Sequence, residues 1–130
     1  MTNSETRLRE QVLSIINNIE NGVVVTQQDI DDGYYDEDQY QDGDIISGFD
    51  YIADALDIEY TISSTGEYRG ARILVAFGGP NIWINTGLSL VEASWWGESV
   101  MIHFHSDAMG IDETCEELFQ CSDLAQASSY

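Results

Sequence analysis

The chain has 130 residues, with 24 Asp or Glu against four arginines and no lysine, for a formal net charge of −20. The length suits one domain around a single hydrophobic core. The charge excludes nucleic acid and anionic membranes as direct partners, because both would be repelled. The 43% apolar share, with 3 Trp, 7 Tyr and 4 Phe, excludes global disorder. No apolar run reaches the ~18 residues of a membrane span. The start of the chain, with Glu5, Arg7 and Glu10, lacks the pattern of a signal peptide. A cytoplasmic protein with reduced cysteines is expected.

Thr2 and Glu5 have the spacing of a capping box. Leu8, Val12, Ile15, Ile16 and Ile19 then fall on one face of an amphipathic helix, which Asn21-Gly22 would stop. Val23 to Val25 reads as a short strand or as the chain's entry to the core. From Asp29 to Asp44, eight of 16 residues are acidic, with Tyr34, Tyr35 and Tyr40 interleaved. Gly33 and Gly43 break any period, so residues 29–44 are expected to form an acidic loop or a partly ordered segment.

Asp44 is placed to cap a second helix. Its inner face would be Ile45, Phe49, Ile52, Ala53 and Leu56, with an outer row of Asp50, Asp54 and Asp57. Alternating or apolar runs then predict strands at Ile58–Ser63, Tyr68–Phe77, Ile82–Asn85, Leu88–Trp96 and Ser99–Phe104. The run Ile73-Leu-Val-Ala-Phe suggests that the second strand ends buried on both faces. Short glycine-rich connections favour an antiparallel meander. A last helix is expected after Asp107–Asp112, with Ile111, Cys115, Leu118, Phe119 and Ser122 inward and Asp112, Glu113, Glu116 and Glu117 outward. Residues 123–130 should fray. The expected fold is thus α+β in one domain, an antiparallel sheet of four to five strands packed by N-terminal helices and a C-terminal helix.

Four segments, Asp54-Ala-Leu-Asp-Ile-Glu-Tyr, Gly66-Glu-Tyr-Arg-Gly-Ala-Arg, Phe77-Gly-Gly-Pro-Asn-Ile-Trp and Trp95-Trp-Gly, resemble a family of small uncharacterised proteins of tailed phages and prophages. The resemblance runs from about Asp50 to Phe119. It implies a phage or prophage origin and brings no activity or functional residues with it.

The residues offer no catalytic constellation. Counted from Asp29 or from Asp36, the acidic loop fails the EF-hand pattern of acids at positions 1, 3 and 5 and glycine at 6. His103 and His105 share a strand face, while Cys115 and Cys121 are too far apart along a helix for ordinary zinc spacing. No Gly-x-Ser-x-Gly elbow occurs, and Gly78-Gly79 belongs to no phosphate-binding motif. Neither an enzyme nor a cofactor or metal is expected. Trp83, between Ile82 and Ile84, reads as core. Trp95 and Trp96 should face opposite ways, and whichever is exposed beside Gly97 would be an interface anchor.

The acidity carries the functional expectation. Duplex DNA bears one charge per ~1.7 Å, so twenty charges match about 34 Å of duplex. A compact chain of this length is about 35 Å across. Carboxylates one helical turn apart, as Asp50 and Asp54 would be, lie ~6 Å apart, near the phosphate spacing. The leading expectation is a phage-type inhibitor that mimics nucleic acid and blocks the DNA-binding groove of a host CRISPR or restriction complex. It resembles known anti-restriction and anti-CRISPR proteins in acidity alone. The partner-binding candidates are Asp29, Asp31, Asp32, Asp36, Glu37, Asp38 and Asp42 in the loop, Asp50, Asp54 and Asp57 after it, and Glu113, Glu116 and Glu117 near the end. A regulatory or assembly protein that binds another basic protein fits the same residues. So does a halophile's salt-adapted surface. Monomer and dimer are both compatible with the sequence.

Overall fold

The computed structural model describes residues 3–122. Thr2 and the expected frayed tail at 123–130 lie outside them. Helix α1 (Asn3–Asn21) buries Leu8, Val12, Ile16 and Ile19, with Ile15 at the margin, as its spacing predicts. Gly22 ends it in the left-handed region at φ 85° and donates to the Asn18 carbonyl at 2.8 Å.

Five strands follow: β1 (Asp57–Ile62), β2 (Tyr68–Ala76), β3 (Asn81–Asn85), β4 (Leu90–Trp95) and β5 (Glu98–His103). They form one antiparallel meander in the order β1-β2-β3-β4-β5. The last helix (Ile111–Gln120) buries Ile111, Thr114, Cys115 and Phe119. Two short helices lie between α1 and the sheet, so in chain order they are α2 (Gln27–Asp31) and α3 (Gly48–Tyr51), and the last is α4. Gly110 is the N-cap of α4, and the carboxylate of Asp107, three residues before it, accepts from the Ile111 and Asp112 amides at 2.9 and 3.1 Å. The expected α+β architecture is therefore present. Among the described residues, no helix is long and apolar enough to cross a membrane.

Helix α1 packs on β4 and β5, and α4 on β2. Both cover the face that carries Ile73, Ile84, Val91 and Val100. Phe119 meets Tyr60 and Tyr68, with ring centroids 5.4 and 6.0 Å apart. The Tyr68 hydroxyl donates to Asp112 at 2.7 Å and fastens α4 to the sheet.

The opposite face is only partly shielded, and this corrects two expectations. Trp83 is not core. Strand alternation sends its neighbours Ile82 and Ile84 inward and Trp83 out, where the Arg72 guanidinium lies 4.1 Å over its ring. Arg72 also pairs with Glu92 at 2.7 Å and Glu59 at 3.4 Å. Nor is the end of β2 buried on both faces: Leu74 to Ala76 are half-buried and Phe77 is 72% exposed.

The second helix is the largest correction. No helix runs from Asp44 to Leu56. The Asp44 carboxylate instead accepts from the Gln41 amide at 2.8 Å, and its carbonyl accepts from Val25 at 2.7 Å. Ile45 is thereby held extended in a bridge to Val24. Only one turn of helix, α3, forms, capped by Ser47. Ile45, Phe49 and Leu56 are exposed, and the core takes Ile46 and Ile52. Asp57 belongs to β1, so Asp50, Asp54 and Asp57 form no helical row and lack the phosphate-like spacing expected of them.

The cysteines differ in environment. Burial first, then Asp112 and Asp107, push the Cys115 thiol up to about 12, whereas Cys121 is exposed. A thiol reagent at neutral pH should label Cys121 within minutes and Cys115 only on unfolding, read by mass spectrometry. Rapid labelling of both would contradict this burial. The folded value exceeds the unfolded 9.0, so the buried thiol supports folding fully below pH 9. That support is lost as pH rises towards 12.

Candidate functional site

The acidic segment is a closed, ordered lobe. Its neck is fastened by three backbone hydrogen bonds: Val25 to Asp44, Gly43 to Val25 and Ile46 to Val23, at 2.7, 2.8 and 3.0 Å. Within it, Thr26 and Asp29 form a reciprocal capping box on α2. The Asp42 carboxylate accepts from the Gln27 amide at 3.1 Å, and Asp36 from the Asp38 amide at 2.9 Å. Acidic residues at these turns thus supplement the few apolar contacts of so polar a segment. The segment is thus a loop, as one of the two expectations had it, with the short helix α2 at its start.

Tyr40 is the lobe's pin. It is 8% exposed and packs edge-on against Tyr35 at 5.5 Å. Its hydroxyl donates to Asp50 and accepts from the Ser47 amide, the latter at 2.9 Å. The lobe is thereby joined to α3. Burial, then the nearby Asp29, Tyr40 and Asp50, raise the Tyr35 pKa above the ordinary phenol value. Tyr40→Phe removes a bond to a carboxylate and should cost about 1.5 kcal/mol. Chemical denaturation should register this as a lower midpoint, with amide exchange rising first at residues 26–46. An unchanged midpoint would contradict the pinning role.

The structure brings four predicted residues together. Asp29, Asp36, Asp50 and Asp54 line one open hollow of about 600 Å³ with Tyr34, Tyr35, Gln39 and Tyr40. Asp31, Asp32, Glu37, Asp38 and Asp42 are exposed elsewhere on the lobe. Asp31 and Asp32 accept from the Gln27 and Gln28 side chains at 3.0 and 2.8 Å. Asp57 stands apart at the start of β1. Glu113, Glu116 and Glu117 border a separate shallow hollow on α4 with Gln120 and Cys121. Gly48 seats α3 on the first turn of α4, so the two acidic groups lie on adjoining elements.

No carboxylate from Asp29 to Asp57 has an ion pair among the described residues. The chain has no basic residue between Arg9 and Arg69. Arg69 and Arg72 are engaged on the sheet by Glu67, Glu59 and Glu92. Among the described residues, no three of His, Cys, Asp or Glu converge as metal ligands. His103 ends β5, and His105 lies beyond it with its amide donating to Glu20, so the two do not share a strand face.

Sequence reasoning missed the turn between β4 and β5. The fourth strand stops at Trp95, which pairs with Glu98, leaving Trp96-Gly97 as a two-residue hairpin turn. Both have positive φ, 53° and 79°, the signature of a type I′ turn that favours Asn-Gly. Tryptophan there costs roughly 1–2 kcal/mol of backbone strain. Trp96 is nonetheless 80% exposed. The signal was legible: two residues ending in glycine between two alternating runs.

Comparison of the chain with protein families, curated proteins and solved structures found no match.

Proposed function

We propose that this chain is a non-enzymatic inhibitor that occupies the nucleic-acid-binding groove of another protein, with carboxylates standing in for phosphates. One observation carries the reading: a closed lobe leaves Asp31, Asp32, Glu37 and Asp38 exposed, and among the described residues no carboxylate from Asp29 to Asp57 has an ion pair. Such a surface gains most from a partner that supplies arginine and lysine. Pre-fastening by the neck and by Tyr40 limits the ordering entropy lost on binding. The resemblance to phage proteins supports a host defence complex, CRISPR or restriction, as the target class in the bacterial cytoplasm. The acidic face of α4, with Glu113, Glu116 and Glu117, extends the charged surface beyond the lobe.

Capture from bacterial lysate at low salt, followed by a salt gradient, tests this. The expected partner is a nucleic-acid-binding complex that duplex DNA releases. Recovery of a basic partner indifferent to DNA would replace the mimic reading with a regulatory or assembly role.

A further inference from the structure

One end of the sheet exposes two large aromatic side chains. Trp96 is 80% and Phe77 is 72% exposed. The meander brings the β2–β3 loop and the β4–β5 turn to the same end, where Gly79, Asn81, Trp95 and Trp96 share a cleft of about 270 Å³. Neither the Trp96 nor the Phe77 side chain belongs to the core. Trp96 occupies a backbone conformation that asparagine would adopt with less strain, and in doing so presents a large apolar group to water. Tryptophan is among the side chains enriched at binding hot spots.

This end adjoins the acidic lobe. Asp54 lines the lobe's hollow and also a second one, of about 300 Å³, with Val75, Ala76 and Ile82. Phe77 follows Ala76 directly. The aromatic end of the sheet therefore begins next to the hollow that Asp54 borders.

We infer that Trp96 and Phe77 anchor the chain in an apolar depression on a basic protein whose flanking arginines and lysines meet the lobe. The inference rests on the reading of the lobe as a cation-binding surface. Charge selects the occupant. Nucleic acid is repelled by a chain of net charge −20, and a second copy docked end to end would bring Asp54 and its neighbouring carboxylates against their own kind. Complementarity leaves a cationic protein with an apolar centre. The anchor gives such a complex a part that salt does not screen.

The probes are two synthetic peptides of six arginines, one with two central leucines and one with two central glycines. Wild-type protein at low salt should bind the leucine peptide about 10-fold more tightly. Trp96→Asn, and separately Phe77→Ser, should remove that preference, while asparagines in the lobe should weaken both peptides alike. Trp96→Asn should also raise the melting temperature by about 4 °C, because asparagine suits the turn. A role in folding alone would lower it. Equal binding of the two peptides by wild type, or a preference that survives both substitutions, overturns the anchor and leaves the charge reading standing. A wild-type dimer that Trp96→Asn dissociates overturns it in favour of a self-interface. Failure of wild type to bind either peptide removes the charge reading, and the anchor with it.

Discussion

Neutralising five carboxylates, four on the lobe and Asp54 at its hollow, should stabilise the protein while nearly abolishing partner binding. Glu37, Asp38 and Asp54 make no side-chain hydrogen bond among the described residues. Asp31 and Asp32 bond only to exposed glutamine side chains. Asp31→Asn, Asp32→Asn, Glu37→Gln, Asp38→Asn and Asp54→Asn together leave the turns formed by Asp29, Asp36 and Asp42 intact. They take the net charge from −20 to −15. Less self-repulsion should raise the melting temperature by several degrees at low salt. Affinity for the basic partner should fall about 100-fold, or about 3 kcal/mol spread over five exposed contacts. Opposite signs in calorimetry and binding are the mark of carboxylates kept for a partner. A destabilised variant with unchanged affinity would show that these carboxylates serve the fold instead.

Gly48→Ala should be the most damaging small substitution near the site. Gly48 is buried at the start of α3, against the N-terminus of α4. An added Cβ would lie 2.3 Å from Thr114 Oγ1 and 2.9 and 3.0 Å from the Met109 and Gly110 carbonyl oxygens. Two of these three atoms are backbone and cannot rotate away, so α3 must lift from α4. The cost should be about 3 kcal/mol, at the upper end for overpacking. Asp50, on α3, would move with it and loosen the Tyr40 contact. Urea denaturation should show the lower midpoint, and partner affinity should drop although no charge has changed. A midpoint within experimental error of wild type would mean that α3 does not need this close seat.

The contrast between α1 and α3 shows what the sequence makes legible. Leu8, Val12, Ile16 and Ile19 recur at helical spacing and are all buried, because nothing competes with the helix until Gly22. The spacing of Ile45, Phe49 and Leu56 is as regular, yet all three are exposed. There the competing forces are long-range. The Asp44 carbonyl is claimed by Val25, and the Leu56 amide by Leu74. Local periodicity carries no information about either bond. Trp83 exposes a different limit, since its flanking isoleucines should have signalled, by strand alternation, that the ring faces away from the core. For the site, the acidic residues were evident from composition. Their assembly around Tyr40 was not, because a hydroxyl shared between Asp50 and Ser47 depends on the closed neck of the lobe.

Displacement of duplex DNA from the captured partner tests the central claim most directly. The partner is loaded with a fluorescent duplex, and the protein is titrated in at a series of salt concentrations. The account predicts complete displacement, an apparent affinity that falls linearly in log–log form as salt rises, and a shallower slope for the five-site variant. A ternary complex that retains the duplex, or displacement that salt does not weaken, would contradict it.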